Sequence, residues 1–130
     1  AGGNLILNLL LNCDAGQPDA TDPIERHSSR PDFAGLLCPW PGGQKITDFH
    51  FSKDTPPVFL AHAEDDTTAP VTFARQIEAA LKKVDVPVHA EYFAEGGHGA
   101  FSPSGGRHGD WPERLLPWLT EQKLFSPPPE

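Results

Sequence analysis

The sequence predicts an α/β fold, a mostly parallel sheet flanked by helices, and three observations predict it. Residues 33–38 and 58–62 are short apolar runs without polar alternation, the pattern of strands buried on both faces. Around them stand longer stretches with helical spacing. The resulting order of helix, strand, strand, helix, strand, helix is what parallel strands with crossover connections produce. A chain of 130 residues is about one small domain, and 38% hydrophobic with 22% charged residues suffices for a packed core.

The first helix is expected over residues 3–12. Six of the seven positions from Leu5 to Leu11 are apolar, and Asn4, Asn8 and Asn12 form one thin polar stripe. A helix apolar nearly all round is expected to be buried. Residues 14–32 are polar and rich in turn formers. Arg30-Pro31-Asp32 leads into the first strand, over 33–38, which Pro39 stops. Residues 40–57 make a Gly/Pro/Asp/Lys excursion of a length usually functional or mobile. The second strand, over 58–62, follows. Pro70 then starts a helix with Val71, Ala74, Ile77, Leu81 and Val84 on one face and a Glu78–Lys82 pair on the other.

Val86-Pro87-Val88 opens a third strand that runs to about residue 94. Val88, Ala90 and Tyr92 alternate with His89, Glu91 and Phe93, which predicts a near-edge strand with one wetter face. Asp110-Trp111-Pro112-Glu113 resembles a capping box for a last helix reaching about Lys123, which Pro117 should kink. Residues 126–130 are expected to be a disordered tail.

Net charge −8 argues against nucleic acid or an anionic membrane as partner. No apolar run approaches the roughly 20 residues of a membrane span. Cys13 and Cys38 are expected to be free thiols, because a ten-residue helix of roughly 15 Å separates Cys13 from the sheet edge.

Two segments carry the chemistry: residues 62–71, His-Ala-Glu-Asp-Asp-Thr-Thr-Ala-Pro-Val, and residues 96–101, Gly-Gly-His-Gly-Ala-Phe. Each is the exit of a strand, the place where parallel sheets gather their catalytic groups. Each offers one member of an acid–histidine pair. A metal site built from His62, Glu64, His98, His108 and Asp110 lacks any paired ligand spacing, so no metal is expected.

These segments, with Ala1-Gly2-Gly3-Asn4, residues 30–39 and the Trp111-Pro112-Glu113 and Trp118-Leu119 pairs, occur in an order that resembles the C-terminal half of an α/β-hydrolase. The nearest branch is that of acetyl esterases and acetylxylan-esterase-like proteins. The resemblance implies that residues 1–125 are the C-terminal portion of a single α/β-hydrolase domain. It implies His98 as general base and Asp66, favoured over the adjacent Asp65, as the acid that orients it. Ala1 follows the position of the serine elbow, so its backbone nitrogen would serve the oxyanion hole. No serine within the chain sits at such an elbow, and the nucleophile is expected from outside it.

Trp40, with His50 and Phe51, could line an acyl or alcohol pocket, or Trp40 could pack under its own loop. The implied activity is that of a serine-type carboxylic ester hydrolase, without a cofactor, deacetylating carbohydrate or other small acyl esters. A prolyl-oligopeptidase-type serine peptidase and a non-catalytic hydrolase-like fragment are the alternatives. Because the first helix and strand are so apolar, association with the N-terminal half of the same hydrolase, or with a second copy, is expected.

Overall fold

The computed structural model describes residues 1–126. Its elements are α1 (Gly2–Asn12), β1 (Ala34–Leu37), β2 (Val58–Ala63), α2 (Val71–Lys83), β3 (Val88–Phe93) and α3 (Trp111–Glu121), with short 3-10 turns at Ile24–Arg26 and Ile46–Asp48. The three strands lie in the order β1-β2-β3, all parallel. Ala34 pairs with Val58 and Val58 with Val88, so the three strands start level. Of the tail expected over 126–130, residues 127–130 lie outside the described residues.

Strand alternation divides the core into two. Ala34, Leu36, Val58 and Leu60 point to one side, where Leu7 and Leu10 of α1 and Ala74, Ile77 and Leu81 of α2 cover them. Phe59, Ala61 and Ala63 point to the other, against Ala100, Phe101, Trp118 and Leu119. All six β2 residues are buried because both layers close over this central strand. Cys38 breaks the alternation. It leaves β1 with φ 45°, and its side chain joins the second cluster instead of following Ala34 and Leu36.

Several expectations need correction. Only Leu7 and Leu10 of α1 are buried, whereas Leu5 is 71% and Leu9 44% exposed. Of the asparagine stripe, Asn12 is exposed and Asn4 and Asn8 are half-buried. Asn4 Nδ2 donates to Pro41 O and Gln44 Oε1, each at 3.1 Å, and ties α1 to the loop after β1. That loop is also anchored by buried Phe49, whose ring meets Phe73 of α2 edge-on at 5.8 Å.

β3 is an edge strand with all six residues half-buried, and the side chain of His89 is 43% exposed. His89 stacks on Phe59 at 5.5 Å and lies near Trp118, while Arg75 of α2 covers Tyr92 on the other side. The capping box is absent. Asp110 turns its carboxylate to Arg114 at 3.3 Å, and the Glu113 N–H bonds the Asp110 carbonyl. α3 ends at Glu121, before the residue expected, and Pro117 lies inside it. Cys13 and Cys38 are free thiols at the ends of α1 and β1. No helix among the described residues is long and apolar enough to cross a membrane.

Candidate active site

β2 ends at Ala63 and the chain turns through Glu64, Asp65 and Asp66 before α2 begins. The turn forms because Asp66 folds its carboxylate back on the following backbone: Oδ1 accepts the Thr68 and Ala69 N–H groups, both at 2.8 Å. Oδ2 is left to accept Nδ1–H of His98 at 2.9 Å. The carboxylate is buried and the imidazole is 43% exposed. Burial pushes the Asp66 carboxyl up, but the Ala69 N–H, the His98 ring and the Thr68 N–H together outweigh it and hold the group below the usual carboxylate range. An ionised carboxylate only accepts, so the proton of neutral His98 sits on Nδ1 and Nε2 keeps its lone pair.

His98 arrives on the loop after β3. Gly96 and Gly97 take φ values of 147° and 61°, and a Cβ on Gly96 would come within 2.7 Å of Ala100 Cβ. Only glycine suits Gly96. Buried Ala100 and Phe101 then fasten the loop to the second core. Its return limb is braced by His108, which donates from Nε2 to Glu95 O at 2.7 Å and stacks on Phe93 at 3.9 Å.

Asp66, not Asp65, meets the ring. Asp65 instead accepts the N–H groups of Gly96 and Gly97. The residues weighed as a metal set are dispersed: Glu64 pairs with Arg75, His108 with the Glu95 carbonyl, and Asp110 with Arg114. A different trio converges instead, with Cys38, His62 and Asp66 presenting atoms within 4.8 Å of one another.

The trio's chemistry is that of donors around an anion. His62 Nε2–H donates to Ala69 O at 2.7 Å and lies 3.4 Å from Asp66 Oδ2. Burial lowers its pKa and favours the neutral ring, whose Nδ1 has no partner among the described residues. Burial and then the Asp66 charge push the Cys38 thiol up to about 12, so it is no thiolate nucleophile near neutral pH. Sequence reasoning named His62 only within the metal set and missed Cys38 at the site. Leu37 opposite Ala61 sets Cys38 level with His62, a register that the order of residue types does not show.

Ala1, Gly2, Leu37, Cys38, His98 and Phe101 are among the residues lining a cavity of about 400 Å³. A smaller one of about 310 Å³ is bounded by Ala1, Trp40, Thr68 and His98. Trp40, 45% exposed, thus stands at the mouth beside His98 instead of packing under its loop. Ser102 also lines the larger cavity, and its hydroxyl faces Ser104 Oγ at 3.2 Å.

The sequence profile of the Prolyl oligopeptidase family matches residues 43–124. The chain belongs to the prolyl oligopeptidase family. Its fold is part of an α/β-hydrolase fold, as solved structures also show. A similar one is the acetyl ester-xyloside bifunctional hydrolase from Caldicellulosiruptor lactoaceticus, with TM-score 0.82 and 26% identity, covering 97% of this chain and 55% of that one. The carboxylesterase Cest-2923 from Lactobacillus plantarum follows at TM-score 0.71 and 17% identity, covering 98% and 58%. A thermophilic esterase from Thermogutta terrifontis matches at TM-score 0.73 and 20% identity, covering 99% and 55%. The chain therefore spans a little over half the length of these structures. A search of curated proteins finds no match.

Proposed function

We propose that residues 1–125 are the C-terminal portion of an α/β-hydrolase domain and carry the acid and base of a serine-type carboxylic ester hydrolase. The nucleophilic serine comes from outside these 130 residues. The observation that supports this most is the 2.9 Å bond from His98 Nδ1 to the buried Asp66 carboxylate, at the carboxyl ends of parallel strands and beside a cavity.

In this reading His98 Nε2 takes the proton from the serine hydroxyl as its oxygen attacks the ester carbonyl. Asp66 stabilises the imidazolium that results. The tetrahedral oxyanion is met by backbone N–H groups, that of Ala1 among them, as α1 opens there. Its collapse expels the alcohol, which takes the proton from His98. Water then repeats the cycle and releases the acid.

Small acyl esters, acetylated carbohydrate in particular, fit the modest cavity, and Trp40 offers a flat apolar face on which a sugar ring can stack. The similar hydrolase described as an acetyl ester-xyloside enzyme supports the same class. The chemistry requires no cofactor. Leu5 and Leu9 on α1, with the open edge of β1, are the surface against which the remaining part of the hydrolase, or a second copy, would pack.

The family match favours one other reading, a prolyl-oligopeptidase-type peptidase using the same acid and histidine. Side-by-side assay of the complete protein on p-nitrophenyl acetate and an aminoacyl-proline substrate separates them. Ester turnover with little peptidase activity is expected, and the reverse preference overturns the esterase assignment.

A further inference from the structure

Two neighbouring carboxylates leave β2, and only one of them touches the imidazole. Asp65 holds the backbone that carries it. Its Oδ1 accepts the Gly97 N–H at 2.8 Å and its Oδ2 the Gly96 N–H at 3.1 Å. Successive N–H groups turned toward one anion make a nest, and bonds to an ionised acceptor are stronger than neutral ones. The positive φ angles of both glycines are what turn the two N–H groups the same way.

The placement of this clamp is what gives it a role. Asp65 is bonded directly to Asp66, and Gly97 directly to His98. A single peptide bond on either side thus separates the clamp from the 2.9 Å contact between acid and imidazole. The two strand exits are tied once before the clamp, where the Glu64 N–H donates to Phe93 O at 2.7 Å. Arg107 reaches the Glu95 carboxylate and His108 the Glu95 carbonyl, which tie the limb to its own continuation.

We propose that Asp65 is a positioning residue: seated in the Gly96–Gly97 nest, its carboxylate sets the distance at which Asp66 meets His98. This rests on the reading of Asp66 and His98 as acid and base. A displacement of about 1 Å in a catalytic group costs roughly a hundredfold in rate. Because Asp65 is exposed and the two glycines are half-buried, water takes over part of the clamp when the carboxylate is removed.

The test uses the complete protein with Asp65→Ala and Asp65→Asn, and sodium formate as the probe. Asp65→Ala is expected to lose roughly ten- to a hundredfold in kcat with KM unchanged. Asp65→Asn keeps one acceptor oxygen and should lose less. Formate, entering the vacated nest, should restore part of the Asp65→Ala rate without speeding the wild type. In parallel, amide hydrogen exchange over residues 95–98 should accelerate in Asp65→Ala while α2 stays unchanged.

Unchanged exchange, or faster exchange with kcat unaffected, overturns the proposal. An Asp65→Ala loss that formate does not relieve does so as well. If the wild type itself hydrolyses no ester, the acid–base reading fails, and the exchange comparison alone then decides whether the clamp exists.

Discussion

The β2–β3 side of the molecule and the α1–β1 side are built differently. On the first, a fully buried six-residue strand and its neighbour end in side chains whose polar groups are nearly all engaged: Asp66 on two N–H groups and His98, Asp65 on two more. On the second, a four-residue strand has one unpaired edge, and α1 leaves Leu5 and Leu9 to solvent. Asp66 and His98, the proposed acid and base, are held by the first side from within. The second side faces the place from which the proposed serine would come.

The difference can be broken at its strongest point first. Asp66→Ala in the complete protein should lower kcat by roughly a thousand- to ten-thousandfold, with KM little changed, measured on p-nitrophenyl acetate. Next comes packing. Leu60→Ala, at the centre of the buried strand, should cost about 2–5 kcal/mol in urea unfolding. Leu5→Ala, on the open helix face, should stay within about 0.5 kcal/mol unless a partner covers that face.

A pH measurement probes the same contrast more finely. The folded Asp66 carboxyl lies below its ordinary value, so its contribution to stability is present above about pH 4 and is lost as pH falls through the lower folded value. Acid unfolding of the wild type should therefore steepen below about pH 4 relative to Asp66→Asn. The smallest effect concerns the thiols. With its thiol pushed up to about 12 and buried, Cys38 should resist iodoacetamide at pH 8 (about the pH of ordinary labelling) in the native protein while Cys13 reacts.

What the residues made legible follows the same division. α2 was plain because Ala74, Ile77 and Leu81 recur at helical spacing, and β2 because its first four residues are an unbroken apolar run. Both patterns are local. The contact of His89 with Trp118 was hidden because that tryptophan comes from a helix far along the chain. Asp110 had two partners within reach, the N-terminal amides and Arg114, and sequence spacing does not choose between them.

The site divides in the same way. Asp66 and His98 stand at strand exits, which the apolar run of β2 and the alternation of β3 reveal. Cys38 comes beside Asp66 through parallel register and one residue at positive φ, and neither leaves a mark in the order of residue types. The Asp65 clamp depends on the backbone angles of two glycines, which a Gly-Gly pair permits without specifying.

The central claim is that His98, held by Asp66, moves the proton in ester hydrolysis. The most direct measurement is kcat for His98→Ala in the complete protein on p-nitrophenyl acetate. A fall of roughly a thousandfold or more with KM preserved is predicted; turnover close to that of the wild type would contradict the account.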